Sequence, residues 1–117
     1  MKKRQALFFT APFEVVVIQE AIPDPGAVEV LVHAEMSAIS PGTEMLFYRG
    51  QVPADLSVDA TIAELGDAFS YPLKYGYAVV GRVQALGPGV DERWLDRRVF
   101  VFHPHESHFV SAVSTLH

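Results

Sequence analysis

Residues 71–90 constrain the fold more than any other stretch. Tyr71-Pro72 leads in, residues 76–83 read GYAVVGRV, and Gly87-Pro88-Gly89 turns the chain out again. Tyr77, Val79, Val83 and Ala85 fall on one face and Arg82 and Gln84 on the other, the period of two that marks a half-buried strand. Gly81 interrupts the apolar face. A glycine inside a strand marks a bulge, a bend or the close approach of another backbone, and small barrels need such corners.

The flanking sequence supplies further strands. Residues 5–9 predict a first strand, turned at Ala11-Pro12 into a second over 13–22 that is rich in β-branched residues. Pro23-Asp24-Pro25-Gly26 is reverse-turn chemistry, because proline presets φ and glycine accepts the left-handed position. Over 28–36 the alternation is clean, with Val28, Val30, Val32, Ala34 and Met36 on one face and Glu29, His33 and Glu35 on the other. Ser40-Pro41-Gly42 ends that strand, and 43–49 predicts a short helix capped by Thr43 and closed by Gly50. Val58, Ile62 and Leu65 fall at helical spacing behind Ser57, with Gly66 as a stop, so 57–69 predicts a second helix. Residues 98–102 and 107–113 predict two more strands, separated by His103-Pro104-His105. The pattern implies a mostly β fold, an open barrel or sandwich with one or two short helices.

Composition limits what such a fold does. With 117 residues, half of them hydrophobic, one core of ordinary size is expected and two are not. Fourteen acidic against nine basic residues give a formal charge of −5, and the one basic cluster is Lys2-Lys3-Arg4, which argues against a nucleic-acid partner. No cysteine is present, which removes disulfides, thiolate zinc ligands and cysteine nucleophiles together. The apolar run at 6–9 is interrupted too soon for a signal-peptide core, and no window reaches the length of a membrane span. A soluble, cytoplasmic protein without membrane partners is the expectation.

In their order, the turn Ile39-Ser40-Pro41-Gly42-Thr43-Glu44, the close Tyr48-Arg49-Gly50, Pro72, GYAVVGRV, the turn at 87–90 and Arg98-Val99-Phe100 resemble the N-terminal, GroES-like catalytic domain of the medium-chain dehydrogenase/reductase superfamily. The resemblance covers nearly the whole chain. It implies a partly open GroES-like β-barrel over 1–117, acting on a small-molecule alcohol or carbonyl, with NAD or NADP bound mainly by a Rossmann domain expected after residue 117. It also implies that the full-length protein is a homo-oligomeric NAD(P)-dependent oxidoreductase, and that this domain alone is inactive. The dinucleotide fingerprint requires Gly-x-Gly-x-x-Gly between a strand and a helix, a spacing that Gly81, Gly87 and Gly89 lack.

Many members of that superfamily hold a catalytic zinc through a cysteine in the turn and a His-Glu pair in the strand. The matching positions here carry Pro41 or Ser40, and Tyr77-Ala78. Pro41, Tyr77 and Ala78 are not zinc ligands, so the resemblance is to a zinc-free branch. Within it the Ser-Pro-Gly-Thr-Glu turn and the Gly-Tyr strand look most like the bacteriochlorophyllide a dehydrogenase group, while the Tyr48-Arg49 close is similar to that of the quinone reductases. Without a metal, hydroxyl or cationic donors must stabilise the developing alkoxide or enolate. The resemblance points to Thr43, Tyr77 and Ser40 as catalytic donors and to Tyr48 and Arg49 as substrate-binding residues. Three of them also have a plain structural role: a helix cap for Thr43, a satisfied barrel tyrosine for Tyr77, and a solvated surface residue for Arg49.

His103, His105 and His108, with Glu106, lack a carboxylate or thiol that would complete a metal shell, and read as a surface strand. His33 and His117 carry no signal. Two other readings remain open from sequence alone, a co-chaperonin and a stand-alone substrate-binding barrel. Against the first, the long segment 51–70 is hydrophobic and helix-like, not a glycine-rich mobile loop.

Overall fold

Pairing partners decide which of the alternating segments lie inside. The computed structural model describes residues 2–51 and 71–117. Six strands, β1 (Lys3–Ala11), β2 (Glu14–Ala21), β3 (Glu29–Ala38), β4 (Ala78–Leu86), β5 (Arg98–Phe102) and β6 (His108–Ala112), are joined by one helix, α1 (Thr43–Arg49), and two 3₁₀ turns at Glu92–Trp94 and Val113–Thr115. The helix expected over 57–69 lies outside the described residues.

β1 and β2 form an antiparallel hairpin, and the other strands form a four-stranded antiparallel sheet in the order β5-β4-β3-β6. The two sheets do not close on each other. Instead, short bridges tie them: Ala6 pairs with Glu106 and Phe9 with Leu73. The mostly β, GroES-like, partly open barrel expected from the sequence is therefore observed.

One core lies on the four-stranded sheet, where Val30, Val32, Val79, Val83, Val99, Val101, Phe109 and Leu116 are buried together. A second joins the hairpin to α1 through Phe9, Phe47, Leu73 and Tyr75, with the Phe47 and Tyr75 rings stacked 4.2 Å apart. Apolar burial of this kind is the main favourable term, worth about 1.5–3 kcal/mol for each fully buried large side chain.

Two bulges revise the expected faces. Leu31 pairs with Ala85 and Val32 with Val83, leaving Gln84 as an extra residue on β4; Ala34 pairs with Gly81 and Met36 with Val80, leaving Glu35 extra on β3. Each extra residue flips the alternation beyond it. Met36, expected inside, is 72% exposed, whereas Leu31 is buried. Val28 is also exposed rather than inward, because its φ of 56° puts it in the turn before β3. Tyr77, expected on the buried face of its strand, precedes β4 and is exposed, tilted against the Phe102 ring. Gly81 lies where the sequence requires a close approach: a Cβ there would sit 2.6 Å from the His33 carbonyl oxygen.

Candidate functional site

α1 begins after the expected break and ends at Gly50, whose φ of 70° is the left-handed closing position that glycine supplies without strain. Its start differs from expectation. Thr43 is the first helical residue and the cap position falls on Gly42, with no side-chain cap bond. Glu44 instead braces the turn before the helix: its carboxylate Oε2 accepts the Ser40 N–H, while its own N–H donates to the Ser40 carbonyl at 3.1 Å. A hydroxyl at residue 43 is thereby left out of the cap.

The segment before β6 lies between the two sheets. Leu7 N–H donates to the His105 carbonyl, Ser107 N–H to the Gln5 carbonyl, and Ala34 N–H to the Ser107 carbonyl, at 3.0, 2.8 and 2.8 Å. Gly76 makes this passage possible, since a Cβ there would lie 2.7 Å from the His103 carbonyl oxygen. These bonds hold the His105 side chain against α1, where Nε2 lies 2.5 Å from Glu44 Oε1 and Nδ1 lies 2.7 Å from Ser37 Oγ. Glu44 is buried and His105 nearly so.

A cleft of about 380 Å³ opens beside this cluster. Its walls are Leu7 and Phe9 of β1, Val15 of β2, Ile39, and Met45 and Tyr48 of α1, and its polar lining comes from Ser37, Glu44, His105 and the tyrosine. An apolar pocket with a few convergent polar groups is the usual form of a small-molecule site. Phe13 packs edge-on against the Tyr48 ring, and its N–H donates to the Tyr48 carbonyl at 2.6 Å, which fixes that wall to the hairpin turn.

The surface-strand reading of the histidine cluster is corrected. Residues 103–107 cross between sheets, and each carboxylate they meet is buried. Glu106 Oε1 lies 2.6 Å from His103 Nε2, and its Oε2 lies 2.7 Å from Lys74 Nζ and 3.0 Å from Arg4 Nη2. Burial alone would push the Glu106 carboxyl up, but the hydrogen bonds and charges of His103 and Lys74 outweigh it and hold the group below its ordinary value. His33, which carried no signal, stacks on His108 with ring centres 4.3 Å apart. Burial, then the charges of His33, Lys2 and Arg4, hold the His108 imidazole below its ordinary value.

Of the five residues singled out from sequence, Tyr48 lines the cleft. Ser40 meets the cluster through its backbone bonds to Glu44, and Thr43 adjoins Glu44 in the helix. Arg49 is exposed in the last turn of α1, and Tyr77 stands apart beside Phe102. Ser37, Glu44 and His105 were not among the expected site residues. The one available hint was a carboxylate in the first turn of a helix with no cation at helical spacing to meet it.

No protein-family model matches the chain, and no curated protein matches it. Solved structures do. The CurF ER cyclopropanase of curacin A biosynthesis superposes with a TM-score of 0.78 at 18% identity, over 99% of this chain and 35% of that one. A short-chain alcohol dehydrogenase from E. coli CFT073, complexed with NADH, gives 0.73 at 18% identity, over 98% and 38%. The quinone oxidoreductase of Coxiella burnetii gives 0.71 at 17%, over 99% and 37%. The chain shares its fold with these proteins. It spans little more than a third of their length, and at these identities the likeness concerns fold alone.

Three of the described glycines are committed to the barrel and not to a phosphate cradle. A phosphate cradle needs glycines whose backbone faces the ligand. Here Gly76, Gly81 and Gly87 are spent on contacts within the barrel, Gly87 so closely that a Cβ would fall 1.9 Å from the Gly26 carbonyl oxygen. Nor do the described residues bring three His, Cys, Asp or Glu side chains together as a metal site.

Proposed function

We propose that this chain is the substrate-binding domain of an NAD(P)-dependent oxidoreductase of the medium-chain dehydrogenase/reductase type. In this reading it works on an apolar alcohol or carbonyl compound without zinc, and the nicotinamide is held by the rest of the protein. The observation that carries the reading is the apolar cleft with Ser37, Tyr48 and His105 in its lining, set in a barrel shared with proteins described as dehydrogenase and quinone oxidoreductase. Thr43 and Tyr77 are the hydroxyl donors of this reading, with Ser40 as a third and Tyr48 and Arg49 contacting substrate. Neither the Thr43 nor the Tyr77 hydroxyl is taken up by another described residue, which leaves both free for a ligand oxygen.

Hydroxyl donors of this kind stabilise negative charge on the substrate oxygen as it develops, the part a metal would otherwise play. Among zinc-free groups, the bacteriochlorophyllide a dehydrogenase type remains the favoured assignment on the Ser40-Pro41-Gly42-Thr43-Glu44 turn. The largely aliphatic and aromatic lining also favours a quinone or enone as substrate. The test is hydride exchange by the full-length protein between NADH or NADPH and a panel of apolar alcohols, aldehydes, enones and quinones, with chelator present. Turnover of at least one class is expected. No exchange with either nucleotide across the panel, by folded protein, would overturn the reading.

A further inference from the structure

We infer that Ser37, His105 and Glu44 form a proton relay opening into the apolar cleft, with Ser37 Oγ as the atom that meets a ligand hydroxyl or carbonyl oxygen. Both Glu44 oxygens act as acceptors, Oε2 for the Ser40 N–H and Oε1 for the imidazole. An ionised carboxylate only accepts, so the ring nitrogen facing it, Nε2, must carry the hydrogen. In the neutral ring Nδ1 is then the bare nitrogen, and the relay assigns the contact of 2.7 Å to the Ser37 O–H donating to the ring. The serine lone pairs are left to face outward.

The surroundings support this polarity. Ser37 and His105 both line the cleft, Ser37 is exposed while Glu44 is 4% exposed, and the other walls are apolar. A tie that merely joined α1 to the inter-sheet segment would need one ring nitrogen. Here the second nitrogen is committed to an exposed hydroxyl at the cleft, which a purely structural contact does not explain. In the forward direction a ligand O–H breaks as its proton bonds to Ser37 Oγ, and the former Ser37 proton bonds to His105 Nδ1. An imidazolium is left beside the Glu44 carboxylate. The oxidised nicotinamide of the proposed function, held by the rest of the protein, would take up the electron pair of the adjacent C–H bond as hydride. Within this relay Ser37 is a catalytic residue, His105 is the proton acceptor, and Glu44 is a positioning residue.

The redox outcome rests on the proposed function, but the wiring does not, and the experiment separates the two. In the protein labelled with ¹⁵N-histidine, NMR is expected to find His105 protonated at Nε2 and bare at Nδ1, and to register a shift at Nδ1 on adding benzyl alcohol. Ser37→Ala, at an exposed position where folding is not at stake, should abolish that shift. Protonation at Nδ1 in the free protein, or a ligand shift that survives Ser37→Ala, overturns the relay. In turnover with whichever substrate the panel yields, Ser37→Ala should lower kcat roughly a hundredfold with KM nearly unchanged, and Ser37→Thr should restore most of it. Unchanged kcat in Ser37→Ala overturns the relay while leaving the oxidoreductase reading intact. The expected NMR pattern without any nicotinamide turnover overturns that reading and leaves the relay standing.

Discussion

His105 Nε2 lies 2.5 Å from Glu44 Oε1, joining the segment before β6 to a helix 61 residues earlier in the chain. The pair is buried, so removing one partner strands the other and the Ser40 N–H as well. Glu44→Ala is expected to cost about 3 kcal/mol in urea unfolding. A loss below about 1 kcal/mol would mean that the carboxylate is dispensable to the fold.

Acid should destabilise the protein in two stages. His108 is held below its ordinary value of 6.5 by burial first, so its contribution is full above 6.5 and is lost as pH falls toward its lower folded value. Glu106, held below 4.5 against its own burial, contributes fully above 4.5 and loses that contribution as pH falls further. In both cases the unfolded chain binds more protons than the folded one, so stability must drop with falling pH. Urea midpoints measured across this range should decline in both windows, and His108→Phe should flatten the upper one alone.

Two nearby glycines should respond differently to alanine. At Gly87 the new Cβ would meet the Gly26 and Glu29 carbonyl oxygens at 1.9 and 2.7 Å, and backbone must move. Gly89 has open space around it and only its φ of 80° to object. Gly87→Ala is expected to cost about 3 kcal/mol or more and Gly89→Ala about 1–2 kcal/mol by thermal or urea unfolding. The reverse order would contradict the close approach between residues 26 and 87.

Because Gly81, Gly87 and Gly89 lack the Gly-x-Gly-x-x-Gly spacing and Gly76, Gly81 and Gly87 are committed to contacts within the barrel, this chain alone should not bind NADH or NADPH at micromolar concentrations. Titration calorimetry of the 117-residue chain is the measurement. A clear micromolar isotherm would locate a nucleotide site where none is expected.

Thr43→Val and Tyr77→Phe keep most of the side-chain volume and delete the hydroxyl. If these groups stabilise charge in the transition state, each should lower kcat of the full-length protein roughly a hundredfold with little change in KM. Normal turnover in both would remove them from the chemistry.

Local features were legible in the sequence, and relations between distant segments were not. α1 and β5 begin and end at the expected residues, 43–49 and 98–102, since glycine closes the helix and alternation defines the strand. Met36 was misplaced because the bulge at Glu35 belongs to the pairing of β3 with β4, not to either strand alone. Thr43 was expected as the cap, but the helix starts at Thr43 itself and the cap position falls on Gly42. Tyr48, which lines the cleft, was legible because it sits within a local turn-and-helix pattern. The Ser37–His105–Glu44 cluster was missed because its members meet only once β1, β3 and residues 105–107 are hydrogen-bonded together.

The pairing order has a kinetic consequence. β1 and β2 meet across a tight turn, with Ala11 opposite Glu14, whereas β3 finds its neighbours far along the chain, Val30 opposite Leu86 on one side and Val32 opposite Phe109 on the other. The hairpin can form by local search, but the central strand must close two long loops before either partner rewards it, and each doubling of loop length adds about 0.6 kcal/mol. Domains dominated by such non-local pairing fold in the slow range of small proteins, milliseconds to seconds. During that interval β3 has both edges unpaired, so a strand hydrogen-bonded on both sides in the finished barrel is open to association with other chains while the protein is being made.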